Sequence, residues 1–235
     1  DRGKGNNADV IIICNIDQGT GEIKLVSVFR DTYLSVSDNG LYNKINQAYF
    51  LGGPEQAVEA LNRNLDLQID DFATFNWKAV VDAVNILGGV DVELSKAEFY
   101  YINAYITETV EATGVGSYQL KQAGLNHLDG VQAVAYARLR KMDTDFARTE
   151  RQREIIDLCF QKLKKSDFAV VNNVMEAVFP QILSSVTIDD IIPAARNLTK
   201  YTIADTMGFP AARSDANMGK KGACVIPQTL ESNVT

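Results

Sequence analysis

Short runs of apolar residues near the start of the chain predict a β-hairpin. Residues 9–16 and 22–29 are mostly apolar and are separated by the turn sequence DQGTG. Apolar runs of this length, bounded by turn residues, are typical of buried strands. Further strands are predicted at FATFN, GVDVEL, SYQL and ACVIP.

Between these strands, apolar residues recur at the spacing of one helix face. Proline in a first turn and glycine after a last turn mark some of the boundaries. The predicted helices cover residues 45–50, 54–65, 77–87, 96–112, 129–137, 145–165, 168–183 and 188–198. Strands that alternate with helices favour an α/β fold. We expect one compact domain over residues 1–235, because no repeat or low-complexity linker interrupts the chain.

Composition excludes several classes of protein. With 46% apolar and 23% charged residues among 235, the chain has the composition of a globular protein with a large core. Its net charge of −7 opposes binding through a broad basic surface, so we expect no nucleic-acid partner. No apolar run reaches the length that crosses a bilayer. Cys14, Cys159 and Cys224 lack the spacing of a zinc site and are expected to be ordinary buried or free thiols.

One segment, YARLRKMDTDFARTERQREII at residues 136–156, concentrates positive charge in this acidic chain. Its cationic residues are Arg138, Arg140, Lys141, Arg148, Arg151 and Arg153, and the acidic residues among them are Asp143, Asp145 and Glu150. Such a cluster either forms a solvated helix face or binds an anion. On charge pattern alone, the solvated face is the commoner outcome.

Helical spacing within this segment places three polar side chains on one face. On a helix that begins near Asp145, the side chains of Asp145, Arg148 and Gln152 project in the same direction, whereas Glu150 and Arg153 are offset from them. Guanidinium groups donate paired hydrogen bonds to phosphate oxygens. The anion-binding interpretation therefore predicts a phosphate or pyrophosphate ligand.

Two further polar groups accompany the predicted hairpin. Arg30 and Asp31 follow its second strand, and ligands of α/β proteins often bind beyond strand ends. An ordinary local ion pair is the alternative. Asp9 stands at the start of the first strand, where its carboxylate either caps the strand or binds a hard cation such as Mg²⁺.

Five motifs, in order along the chain, resemble those of the LytR-CpsA-Psr family of bacterial cell-envelope proteins. They are SVFRDTYL, YNKINQAYFLGG, VVDAVNILGGVDVEL, LNHLDGVQAVAYARLRK and DFARTERQREII. The resemblance implies a three-layer α/β/α sandwich with a central mixed β-sheet. It also implies a place on the extracytoplasmic face of the membrane or in the cell wall of a bacterium, which we expect to be Gram-positive. Relatives are normally tethered by an N-terminal transmembrane helix, which would precede this chain.

The resemblance implies an activity as well. The family's enzymes take a glycopolymer, such as wall teichoic acid or capsule, linked through pyrophosphate to a polyprenyl lipid. They transfer the polymer with one phosphate to peptidoglycan and release polyprenyl phosphate. The implied partners are the lipid-linked donor, the peptidoglycan acceptor and the membrane. The implied cofactor is Mg²⁺, and pyrophosphatase activity is a related reaction.

The resemblance also assigns roles to residues by position. The residues that match the family's pyrophosphate-binding set are Arg30, Arg138, Arg140, Arg148 and Gln152. Asp145 matches the acidic residue among them, and Asp9 matches one of two aspartates associated with Mg²⁺, the other of which would lie upstream. Arg30, Asp31 and Asp145 are the candidate catalytic residues. Either Asp31 or Asp145 would accept the proton of an attacking hydroxyl group, and the sequence does not choose between them.

Another class of function stays open at this stage. A binding or regulatory domain that recognises lipid-linked pyrophosphate without turning it over would have the same arginines. His127, the only histidine, precedes a predicted helix and is expected in a loop or as a cap. A Ser/His/Asp hydrolase is therefore not indicated.

Overall fold

The computed structural model of the protein describes residues 6–140 and 145–230. The chain divides into two compact units, each with its own internal contacts. The first unit comprises Asp1–Thr74, Leu183–Val186 and Thr202–Thr235, and the second comprises Phe75–Ile182 and Thr187–Tyr201. The single domain expected over residues 1–235 stays a prediction.

Strands and helices alternate through most of the chain. The strands are β1 (Ile11–Ile16), β2 (Glu22–Val28), β3 (Tyr33–Ser35), β4 (Tyr42–Lys44), β5 (Ala73–Thr74), β6 (Val90–Leu94), β7 (Gly124–Leu128), β8 (Leu183–Ser184), β9 (Thr202–Phe209), β10 (Arg213–Asn217) and β11 (Ala223–Pro227). The helices are α1 (Asn46–Leu65), α2 (Trp77–Ile86), α3 (Lys96–Thr113), α4 (Gly130–Arg138), α5 (Asp145–Lys165), α6 (Phe168–Val178) and α7 (Ile188–Arg196).

A mixed three-stranded sheet organises the first unit. β1 and β2 form the predicted antiparallel hairpin, and β9 lies parallel to β2 along its other edge. Asp17 closes the hairpin turn, because its carboxylate accepts hydrogen bonds from the backbone N–H groups of Gly19 (2.7 Å) and Thr20 (3.0 Å). This Asx-turn geometry explains why an aspartate begins the turn sequence.

The core of the first unit joins the sheet to α1. Its buried side chains include Val28, Leu34, Val36, Ile45, Leu61, Leu65 and Phe209. Helix α1 is kinked at Gly53, whose φ of 77° lies in the left-handed region that favours glycine. The sequence therefore indicates two helices, at residues 45–50 and 54–65, where the backbone forms one element with a break.

The second unit is mainly helical and has a separate core. Its α4 contacts both α2 and α3, and β6 pairs antiparallel with β7. The buried side chains include Val81, Val84, Val92, Ile102, Ile106, Leu128, Val131, Val134, Leu139 and Ile155. Helices α2 and α4 approach so closely that a Cβ atom at Gly130 would lie 2.1 Å from the carbonyl oxygen of Val81. Glycine is thus the residue that fits the start of α4.

The α/β class with a mixed sheet, predicted from the sequence, is confirmed. The strand predicted at SYQL is wrong, since residues 117–120 are not in a strand. Side chains form hydrogen bonds with the backbone there instead. The Asn103 side chain accepts from the Leu120 N–H (2.9 Å) and donates to the Leu120 carbonyl (3.0 Å), and Gln132 donates to the Tyr118 carbonyl (2.8 Å). The strand of this region is β7.

His127 lies within β7 and not in a loop, which corrects the sequence expectation. It is opposite Asp91 of β6, and its Nδ1 lies 2.7 Å from the Asp91 carboxylate. Helix α6 ends at Val178, earlier than the predicted residue 183, and a 3₁₀ turn over Phe179–Gln181 follows it. Pro180 in that turn cannot donate an α-helical hydrogen bond.

All three cysteines are free, and they differ in exposure. Cys14 is exposed, Cys159 is partly buried and Cys224 is buried. Burial raises the pKa of the Cys159 thiol to about 11, so this thiol stays protonated at neutral pH. Within the described ranges, no helix combines the length and the apolar character needed to span a membrane.

Candidate functional site

Arg30 and Asp31, which follow β2 in the first unit, form an ion-pair cluster with Asp9. Nη1 of Arg30 lies 2.5 Å from Oδ1 of Asp9, and its Nε lies 3.6 Å from Oδ2 of Asp31. The Arg30 side chain is 15% exposed, whereas that of Asp9 is 53% exposed. The structure therefore brings Asp9 together with Arg30 and Asp31, which the sequence had singled out as a separate group.

Lys44 joins this cluster and was missed by the sequence analysis. Its Nζ lies 3.0 Å from Oδ1 of Asp31. Lys44 is the last residue of β4. This strand pairs with β3, which begins just after the segment of Arg30 and Asp31. Its place in the motif YNKINQAYFLGG was the available signal, but its partner became visible only through strand pairing. Arg30 and Lys44 together balance the charges of Asp9 and Asp31.

Backbone hydrogen bonds hold the segment of Arg30 and Asp31 in place. The Arg30 carbonyl accepts from the N–H of Asn46 (3.1 Å), and the Asp31 carbonyl accepts from the N–H of Val225 in β11 (3.0 Å). Thr32 is fully buried, and its hydroxyl donates to the Phe29 carbonyl (2.6 Å). Because these hydrogen bonds hold the backbone in place, the side chains of Arg30 and Asp31 project from a fixed segment.

In the second unit, Arg138 lies at the end of α4 with its guanidinium group already engaged. Nη1 donates to the Thr109 hydroxyl (2.8 Å), and Nη2 lies 3.7 Å from the carboxylate of Glu108. The group also lies over the ring of Trp77, 5.7 Å from its centroid. Arg140, two residues later, is exposed. The two arginines thus differ in how firmly the protein holds them.

Two residues of the polar face predicted on α5 differ from Glu150 in burial. Arg148 is 4% exposed and Gln152 is 6% exposed, whereas Glu150 is exposed to solvent. Gln152 donates to the Ala137 carbonyl of α4 at 3.3 Å. The solvated-face interpretation does not fit side chains that are buried to this extent.

Two more arginines of α5 are buried, which the helical spacing alone did not indicate. Arg151 is 5% exposed and Arg153 is 7% exposed. Burial lowers the pKa of Arg153, and the negative charge of Glu150 offsets part of this by raising it. The side chain of Asp145 and residues 141–144 lie outside the described residues, so the acidic member of the predicted set stays a prediction.

A magnesium site built only from protein groups does not fit the described residues. They include no group of three or more His, Cys, Asp or Glu side chains that could hold a metal ion. Mg²⁺ is, however, commonly bound by one or two carboxylates together with water and substrate phosphates. The exposed carboxylate of Asp9 fits that second arrangement.

Sequence comparison relates this chain to cell-wall proteins. The LytR_cpsA_psr family model matches residues 1–219. An uncharacterised protein of Staphylococcus aureus is 31% identical over 201 residues, which cover 83% of this chain and 47% of that protein. The polyisoprenyl-teichoic acid–peptidoglycan teichoic acid transferase TagU of Halalkalibacterium halodurans is 29% identical over 185 residues, 77% of this chain and 56% of TagU. The chain spans about half the length of these relatives.

The fold is shared with a solved structure. Bacillus subtilis TagT has a TM-score of 0.74 at 23% sequence identity, with 98% of this chain and 84% of TagT covered. TagT bound to LIIa-WTA has a TM-score of 0.75 at 23% identity, with 96% of this chain and 82% of TagT covered. Because the family model matches nearly the whole chain, this protein belongs to the LytR-CpsA-Psr family.

Proposed function

We propose that this chain transfers a glycopolymer from a polyprenyl-pyrophosphate donor to peptidoglycan. The product is a phosphodiester between the two polymers, and polyprenyl phosphate is released. The name of TagU, a teichoic acid transferase acting on polyisoprenyl-linked polymer and peptidoglycan, supports this reaction class. The structure of TagT bound to LIIa-WTA supports wall teichoic acid as the donor polymer.

One observation supports the proposal most strongly, namely the arginines held at the end of α4 and along α5. Arg138 is fixed by Thr109 and Trp77, and Arg148 is buried. Cationic side chains that the fold already holds in place are preorganised to bind negative charge. In a chain of net charge −7, a local concentration of arginine suits the multiple charge of a pyrophosphate.

The proposed reaction is a phosphoryl transfer. A hydroxyl oxygen of a peptidoglycan sugar attacks the phosphorus next to the glycan and forms a new oxygen–phosphorus bond. The bond from this phosphorus to the bridging pyrophosphate oxygen breaks, and its electron pair leaves with polyprenyl phosphate. The hydroxyl proton passes to an aspartate. Rates of such reactions depend mainly on charge neutralisation and on in-line placement of the reacting groups.

The residues of this chain would divide these tasks between them. Arg30, Arg138, Arg140 and Arg148 would neutralise phosphate oxygens. Asp31 or Asp145 would accept the proton, and Lys44 orients the Asp31 carboxylate through their contact of 3.0 Å. Asp9 would hold Mg²⁺, which when bound supplies additional charge neutralisation at phosphate. The reaction would take place outside the cytoplasm, where peptidoglycan is assembled.

A transfer assay tests the proposal. The 235-residue chain would be incubated with a polyprenyl-pyrophosphate-linked teichoic acid precursor, peptidoglycan fragments and Mg²⁺, and the product identified by mass spectrometry. We expect a phosphodiester-linked product with the wild type, little with Arg140→Ala, and a normal amount with Glu150→Ala. Binding of the donor without any product would instead favour a non-catalytic recognition domain.

A further inference from the structure

The C-terminal end of α4 needs hydrogen-bond donors from outside the helix. The last carbonyl groups of any α-helix lack partners within it. Two consecutive side chains of α5 supply donors here: Gln152 Nε2 donates to the Ala137 carbonyl (3.3 Å), and Arg151 Nη2 donates to the Leu139 carbonyl (2.9 Å). Leu139 stands between Arg138 and Arg140. Arg151 therefore contacts the backbone that joins two proposed phosphate-binding residues.

Arg151 also connects this backbone to α3. Its Nη1 lies 3.3 Å from Oε1 of Glu98, and its guanidinium group lies 5.9 Å from the centroid of the Tyr136 ring. Both charged side chains are shielded, with exposures of 6% for Arg151 and 13% for Glu98. A buried ion pair is sensitive to loss of either partner, because the remaining charge is left without compensation.

Glu98 is itself held in a fixed position. Its Oε2 accepts from the Ser95 backbone N–H (2.9 Å) and from the Ser95 hydroxyl (2.8 Å), in the capping box that begins α3. The guanidinium of Arg151 thus links the start of α3 and the end of α4 to α5. These contacts lie within the second unit.

We infer that Arg151 is a positioning residue, which sets the backbone between Arg138 and Arg140 through the Leu139 carbonyl and the Glu98 carboxylate. The inference rests on the proposed function, in which Arg138 and Arg140 bind phosphate. Arg151 acts through these neighbours and does not contact the substrate. Lysine cannot replace it fully, because a single ammonium nitrogen cannot reproduce the two-pronged contact of a planar guanidinium.

A double-mutant cycle separates positioning from a general contribution to stability. The variants are Arg151→Lys, Arg140→Ala and the double variant, each with calorimetric binding of geranyl pyrophosphate and a thermal unfolding curve. We expect Arg151→Lys to weaken binding by about tenfold in the wild type and by less than about twofold in the Arg140→Ala background, because interacting residues show non-additive effects. The shift in unfolding temperature should be the same in both backgrounds.

Equal weakening of binding in both backgrounds would overturn the inference and leave Arg151 with a structural role only. Arg153→Lys is the matched control, since it makes the same chemical change at another buried position of α5. We expect the effect of this control on binding to be equal in both backgrounds. If Arg151→Lys does not fold, Glu98→Gln replaces it, because glutamine keeps an acceptor for Ser95 and loses the charge; additivity with Arg140→Ala would again overturn the inference. A wild type that binds no geranyl pyrophosphate would overturn the proposed function itself.

Discussion

Nη1 of Arg30 lies 2.5 Å from Oδ1 of Asp9, so a proposed phosphate-binding arginine and the proposed magnesium ligand are partners of each other. A carboxylate oxygen that faces a guanidinium group cannot also coordinate a metal ion without sharing or losing that contact. Binding of Mg²⁺ at Oδ1 of Asp9 would therefore affect the placement of Arg30. A substitution at Asp9 therefore tests both the proposed metal site and the proposed role of Arg30 in binding phosphate.

Replacing Asp9 by asparagine should raise the Mg²⁺ concentration needed for half-maximal transfer by several-fold. The amide keeps an oxygen but loses the charge that a hard divalent cation prefers. The measurement is the initial transfer rate over a series of Mg²⁺ concentrations. A variant whose rate changes while its metal dependence stays the same would show that Asp9 acts only through its ion pair with Arg30.

Arg138→Ala and Arg140→Ala should both weaken binding of polyprenyl pyrophosphate. Each lost charge-assisted hydrogen bond is worth about 1.5–3 kcal/mol. The two variants should differ in stability, because Arg138 contacts Thr109 and Trp77 whereas Arg140 is exposed. We expect the unfolding temperature to fall only for Arg138→Ala. Calorimetric titration measures the affinity and thermal unfolding measures the stability. Unchanged affinity in both variants would show that neither arginine binds the pyrophosphate.

Substitutions along α5 separate its buried polar face from its exposed side. Arg148→Ala or Gln152→Ala should reduce transfer at least tenfold, if each residue contributes over about 1.4 kcal/mol to transition-state stabilisation. Glu150→Ala should change activity little and stability by a few tenths of a kcal/mol, since Glu150 is exposed. Equally mild effects of all three in the transfer assay would place the anion site elsewhere.

Stability should decline at high pH in a way that depends on Tyr136. Burial and the hydrogen bond from its hydroxyl to Glu154 (2.8 Å) raise the pKa of Tyr136 above the usual 10.0. The folded chain keeps this proton where the unfolded chain has lost it, so the stabilisation is complete below pH about 10 and decreases above it, by up to about 1.4 kcal/mol per pH unit.

Tyr136→Phe removes this titration and provides the comparison. The difference in the free energy of unfolding between wild type and variant, measured with urea, should be constant up to pH about 9.5 and smaller at pH about 11. All other groups are common to both proteins, so their contributions cancel in the difference. A difference that does not shrink at the higher pH would contradict the assigned pKa shift.

The contact between α2 and α4 should not tolerate a side chain at Gly130. A Cβ atom there would lie 2.1 Å from the Val81 carbonyl oxygen, so Gly130→Ala must move one helix and should cost about 1–3 kcal/mol. Gly116→Ala is the matched control, because a Cβ atom at Gly116 has no atom within 4 Å. Urea unfolding measures the free energy of unfolding of both variants. Equal values would show that α2 and α4 can move apart without loss of stability.

Local pattern was sufficient to predict the hairpin, most helices and the polar face of α5. An aspartate that closes a turn, a proline or glycine at a helix boundary and a 3.6-residue spacing all act within a few residues of each other. For this reason the turn that begins at Asp17, the helix boundary at Pro54 and the shared face of Arg148 and Gln152 could be predicted before any contact was known. The motifs around Arg30 and Arg138 likewise indicated the family from sequence alone.

Tertiary structure decided what depends on partners distant in the chain. SYQL has the composition of a strand, but the side chains of Asn103 and Gln132 bond its backbone, and β6 pairs with β7 instead. The Asp31 carbonyl is fixed by Val225, and Arg151 links Leu139 to Glu98. Such contacts join residues up to 194 positions apart, and no local periodicity specifies them, because hydrogen bonds between distant segments form only where the folded backbone brings donor and acceptor together.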